Sequence, residues 1–134
     1  MKNLLILCIA IITLGTSCSS NDEKNLDPLI GNWYKFSENK KEVNDCEKKT
    51  TLNFKENGDY SISLYEALTN GDCISDGMDT GKWANKGNNN YGIILAGDNF
   101  EVIQKITFGE NSSSFTFTEK EEDGTTFTTT YKRK

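Results

Sequence analysis

The sequence predicts an all-β protein, one domain folded as a single eight-stranded up-and-down antiparallel barrel. Three observations predict it. From Gly31 onward apolar residues recur with period two, the period of a strand with one buried face. Turn residues punctuate the runs at short intervals: Asn57-Gly58, Asn70-Gly71, Gly87-Asn88, Gly97-Asp98, Asn111-Ser112 and Asp123-Gly124. The single proline, Pro28, precedes the domain, so no strand loses a ladder hydrogen bond to one.

The strands follow in order. The first, 31–37, opens on Gly31-Asn32-Trp33. The second, 50–56, alternates Leu52 and Phe54 with Thr51, Asn53 and Lys55. The third, 59–66, alternates Tyr60, Ile62 and Leu64 with Ser61, Ser63 and Tyr65. The fourth, 80–85, opens on Gly81-Lys82-Trp83, and the fifth, 91–96, carries Tyr91, Ile93 and Leu95. The sixth, 99–108, alternates from Phe100 through Val102, Gln104 and Ile106 to Phe108. Phe115 and Phe117 mark the seventh, 113–120; Phe127, Thr129 and Tyr131 mark the eighth, 125–132. Segments 38–48 and 66–79 are left as loops with room for at most a short helix.

The pattern also sets register. Directly paired residues share a face. A two-residue Asn57-Gly58 turn would set Phe54 against Ser61, apolar against polar. A three-residue loop, Glu56-Asn57-Gly58, sets Phe54 against Tyr60, Leu52 against Ile62 and Lys55 against Asp59. That loop is a type I turn with a G1 bulge, with Gly58 left-handed. The last hairpin repeats the arrangement, pairing Phe115 with Tyr131 and Phe117 with Thr129 and leaving Gly124 left-handed. Pairing between sequence neighbours favours a meander, and eight strands in a meander can close and so remove exposed edges.

Ahead of the domain, Lys2 is followed by the uncharged run Leu4–Leu14, 11 residues long. A membrane-spanning helix needs about 20; this run fits the apolar core of a signal peptide. Gly15-Thr16-Ser17 then lead to Cys18. Small residues directly before a cysteine resemble the processing site of a bacterial lipoprotein. The resemblance implies a signal peptide at 1–17, lipidation of Cys18, and a flexible polar tether over 18–28. It further implies an outer-membrane lipoprotein facing the periplasm or, through Asp22-Glu23, the cell exterior. Two or more acyl chains hold a protein stably on a membrane. The alternative is a plain signal peptide with a stray cysteine.

Residues 18–134 hold one modest core. Without Lys2 the chain has 14 basic and 20 acidic residues, a net charge of −6. Its basic cluster is Lys132-Arg133-Lys134, too small to indicate a nucleic-acid partner. The chain has no histidine, which excludes histidine-based triads and His-ligated zinc. In an oxidising compartment Cys46 and Cys73 are expected to form a disulfide, two free thiols being the alternative.

Gly31-Asn32-Trp33, the Cys46 segment, Gly81-Lys82-Trp83 and the closing Tyr131-Lys132-Arg133 together resemble the lipocalin-like domain of small Bacteroidota lipoproteins, over residues 29–134. The resemblance implies a calycin-type barrel, here without the helix that follows the last strand of true lipocalins, and no cofactor. It implies that Arg133 packs across Trp33 at the barrel floor, a frayed Arg133 being the alternative. It also implies non-catalytic binding of a small hydrophobic molecule. Parity puts Phe54, Tyr60, Tyr91, Phe100, Gln104, Phe115, Phe117 and Thr129 on the inward face as candidate ligand-binding residues, with Glu119 beside them. The same face could simply be filled by side chains. The barrel would then be a scaffold for a protein-interaction or inhibitor module acting through 38–48 and 66–79. Asp72, Asp76 and Asp79 lack the ligand spacing of an EF-hand loop, so no metal site is assigned.

Overall fold

The computed structural model describes residues 26–134. The expected signal segment 1–17, Cys18 and the tether up to residue 25 lie outside the described residues. Nine strands follow: β1 (Gly31–Glu38), β2 (Lys41–Glu42), β3 (Thr51–Phe54), β4 (Asp59–Ala67), β5 (Cys73–Gly87), β6 (Asn90–Leu95), β7 (Val102–Phe108), β8 (Ser114–Lys120) and β9 (Thr126–Arg133). Each wall strand pairs antiparallel with its sequence neighbour, and β1 pairs with β9 to close the ring. β2 is a two-residue piece folded back on the end of β1. The wall is therefore a closed eight-stranded meander. The only helical turns among the described residues are single 3₁₀ turns at Glu47–Lys49 and Glu110–Ser112.

Both hairpin registers follow the side-chain pattern. Leu52 pairs with Ile62 and Phe54 with Tyr60; Phe115 pairs with Tyr131 and Phe117 with Thr129. Gly58 and Gly124 sit at φ 82° and 85°, the left-handed position a G1 bulge requires. Cys46 and Cys73 form a disulfide, with their Cα atoms 5.4 Å apart. It ties the segment before β3 to the first residue of β5.

Three assignments change. Residues 73–79, expected in a loop, form the first half of the 15-residue β5. Asp and Gly are poor strand formers, but the ladder to β4 continues through Ile62–Asp79 and Leu64–Gly77 to Ala67–Cys73. Asp76 is absorbed as a bulge between Gly77 and Ser75. The sixth wall strand starts at Val102, not 99, so Phe100 lies outside the ladder and is 62% exposed. Finally, Asp27, inside the expected tether, takes part in the described fold. Asp27 accepts the Leu29 amide on its carboxylate at 2.8 Å and the Ile30 amide on its carbonyl at 3.0 Å, which drives Leu29 into the barrel floor at 0% exposure.

The core sits at the end of the barrel where β1 begins and β9 ends. Phe115 is its hub. Trp33 meets it edge-on at 4.7 Å between ring centroids, Tyr131 stacks on it at 5.2 Å, and Phe117 meets it edge-on at 5.1 Å. Leu29, Phe54, Tyr91 and Ile106 complete the buried layer. Trp83 joins it, its indole N–H donating to the Lys55 carbonyl at 3.0 Å.

Candidate functional site

One end of the barrel is sealed and the other is not. At the sealed end Arg133 lies across Trp33, its guanidinium carbon 4.2 Å from the ring centroid. The guanidinium also donates to the carbonyls of Ile30 at 2.9 Å and Pro28 at 2.8 Å, holding the incoming chain under the barrel. The Trp33 indole N–H donates to the Leu29 carbonyl at 2.8 Å. Gly31 precedes Trp33 at φ 139°, a conformation open to glycine, and a Cβ there would run into the Arg133 guanidinium. These contacts give the Gly-x-Trp sequence its physical reason. Beside it, Asn85 donates to the Asp27 carboxylate at 2.6 Å and the Tyr91 hydroxyl donates to it at 3.1 Å. Burial, and then the neighbouring Asp27 charge, push the Tyr91 phenol well above its ordinary range, so it stays a neutral donor.

Above this floor the interior opens into a cavity of about 240 Å³. Leu52, Phe54, Tyr60, Ile62, Leu64, Ile93, Leu95, Phe117 and Tyr131 line it, with Gln104, Asp79 and Glu119 as its polar members. Gln104 donates from Nε2 to the Glu119 carboxylate at 3.2 Å. The Tyr131 phenol is held well above its ordinary range by burial, then by the charges of Glu38 and Glu119. Tyr60 is raised by burial, then by Asp79 and Asp98. Apolar walls with a few polar groups at one end are what an orienting ligand pocket needs.

A sequence profile of the lipocalin-like domain matches residues 29–115. The chain belongs to the lipocalin-like domain family. Lipocalin-like barrels are typically non-catalytic binding folds that take small molecules. No curated protein matches this lipocalin-like domain. Among solved structures, a redesigned β-barrel is similar at 18% identity and a TM-score of 0.43, covering 80% of this chain and 92% of its own.

The candidate binding residues divide between the two ends. Phe54, Tyr60, Gln104 and Phe117 line the cavity of the lipocalin-like domain. Tyr91 and Phe115 are inward but belong to the sealed floor, at 1% and 0% exposure. Thr129 pairs with Phe117 and Glu38 in the wall and is not among the lining side chains. Phe100 is displaced to the outside of the mouth by the late start of β7. One lining residue escaped the sequence reading as a cavity member. Asp79 was hidden by the acidic, glycine-rich composition of its segment; extending the β4 register across it, opposite Ile62, was the signal available. Leu29 and Trp83 were missed as core, because one precedes the strands and the other sits among polar residues. No group of three or more metal-ligating side chains occurs among the described residues.

Proposed function

We propose that this lipocalin-like domain is a membrane-anchored, non-catalytic carrier of a small hydrophobic molecule, held in the upper half of the barrel. The observation that carries the proposal is the 240 Å³ apolar cavity above a floor sealed by Trp33, Phe115 and Arg133. A water occupies about 30 Å³ of liquid, so the space suits a ligand of roughly eight to ten non-hydrogen atoms. A long acyl chain does not fit without wall movement. The test is calorimetric titration of the full chain with propylbenzene, a neutral apolar probe of that size. Saturable binding that Leu64→Trp abolishes, at unchanged thermal stability, is the expected result. Propylbenzene heat equal to the protein-free blank would overturn the proposal.

The anchor belongs to the same proposal. An 11-residue apolar run before Gly15-Thr16-Ser17-Cys18 supports lipidation at Cys18 in an outer membrane, facing periplasm or cell exterior. Metabolic labelling with an alkynyl fatty acid should mark the wild type and leave Cys18→Ala unmarked.

One observation favours a second reading, a protein-interaction module. Met78, Phe100 and Ile103 are 69%, 62% and 53% exposed near the open end and on the outer wall. If those side chains are the functional surface, their replacement by serine abolishes activity while Leu64→Trp is silent.

A further inference from the structure

The charged side chains that line the cavity are all of one sign. Both charged side chains that line it, Asp79 and Glu119, are acidic. Asp79 pairs with Ile62 on β4, just past the point where β6 leaves β5 at Gly81, and Glu119 pairs with Phe127 near the end of β8. Both are exposed to solvent, so they mark the mouth, and the aromatic and aliphatic walls lie beneath them. Lys35 pairs with Tyr131 in the β1–β9 ladder and so shares its face of the wall. It is already committed, at 2.5 Å to Glu38 and 3.5 Å to Glu47. Burial first, and then Glu38 and Glu119, raise the Tyr131 phenol; burial first, and then Asp79 and Asp98, raise that of Tyr60.

Resting on the binding function proposed above, we infer that the ligand class is a small organic amine, a cation with a compact apolar body. Its ammonium sits between Asp79 and Glu119 at the mouth, and its hydrocarbon or aromatic part descends toward Phe54 and Phe117. A carboxylate of the same shape meets two like charges in that position. The Tyr60 and Tyr131 rings add faces suited to a cation. Gln104 fixes Glu119 on one side, so that carboxylate is oriented before the ligand arrives.

The test compares three probes of one size on the full chain, disulfide formed, in nanodiscs with empty nanodiscs as blank: phenethylamine, hydrocinnamate and propylbenzene. Phenethylamine should bind about tenfold tighter than hydrocinnamate, the sum of two partly exposed ion pairs and a ring contact. That preference should shrink at high salt, because exposed charges are screened. The double variant Asp79→Asn, Glu119→Gln should lose the preference, with a thermal unfolding midpoint close to the wild type's showing that the barrel has survived. Propylbenzene binding with no preference for the amine, or with preference for hydrocinnamate, overturns the amine inference and leaves the carrier function standing. Failure of all three probes overturns the carrier function, and the amine inference with it.

Discussion

At the closed end of the barrel Trp33, Phe54, Tyr91 and Phe115 are all buried to 2% exposure or less, and every polar group among them is bonded inward. At the open end, Leu95 closing β6, Val102 opening β7 and Phe100 ahead of it are 42%, 41% and 62% exposed, and the polar groups are Gln104 and two carboxylates without a layer above them. The same alternation of side chains built both ends. What differs is the plug. Leu29 and Arg133 enter from the chain's two ends and cover the floor, and nothing of that kind crosses the mouth among the described residues. Packing is concentrated below, and unfilled, polarised space is kept above.

Breaking the floor should therefore cost most. Phe115→Ala removes the ring that Trp33, Tyr131 and Phe117 all pack on, and should destabilise by ~3–5 kcal/mol in chemical denaturation. An unchanged midpoint would mean the floor is not the stability centre. Next comes the covalent tie at the open end. Replacing Cys46 and Cys73 together by serine should cost ~3 kcal/mol by the chain-entropy account, with the floor's near-ultraviolet signal preserved at temperatures where the protein stays folded. Arg133→Leu should cost ~1–2 kcal/mol, through loss of the contact over Trp33 and of the bonds to Pro28 and Ile30. Arg133→Lys should recover less than half of that, because a single ammonium cannot lie flat on the ring and serve two carbonyls. Smallest is Leu64→Ala at the mouth, about 1 kcal/mol or less in stability, with a clear change in ligand affinity.

Buried phenols make the fold sensitive to alkali. Burial first, and nearby carboxylates second, hold the Tyr131 and Tyr60 phenols above the ordinary value near 10. The folded state thus keeps protons that the unfolded state releases. That stabilisation is complete below pH 10 and is lost as pH climbs through and beyond it. Thermal scans from pH 8 upward should show stability falling above pH 10, and Tyr131→Phe should flatten the fall. A fall of the same steepness in Tyr131→Phe would place the alkaline sensitivity elsewhere.

The barrel was legible because its information is local and repeated. Leu52, Phe54, Tyr60 and Ile62 admit one register once the faces must match, and Gly58 supplies the turn that register needs. The last hairpin carries the same information in Phe115, Phe117, Thr129 and Tyr131. The first half of β5 was not legible, because Asp76, Gly77 and Asp79 read as loop residues and are held in a strand by β4, a tertiary partner. The site was half legible for a related reason. Parity tells which residues face inward, and it named Phe54, Tyr60, Gln104 and Phe117 correctly as inward residues. Parity does not tell height along the barrel axis. Tyr91 and Phe115 therefore looked the same as Phe117, although they lie in the packed floor.

In the proposed function the upper half of the barrel takes a ligand and the lower half does not. The most direct measurement is a methyl NMR titration of the full chain with propylbenzene, following isoleucine and leucine side chains. The expected result is saturable shifts at Ile62, Leu64 and Ile93, which line the cavity, with Leu29 and Ile106 in the sealed floor unmoved. Shifts confined to Leu29 and Ile106, or none at any of the five, would contradict it.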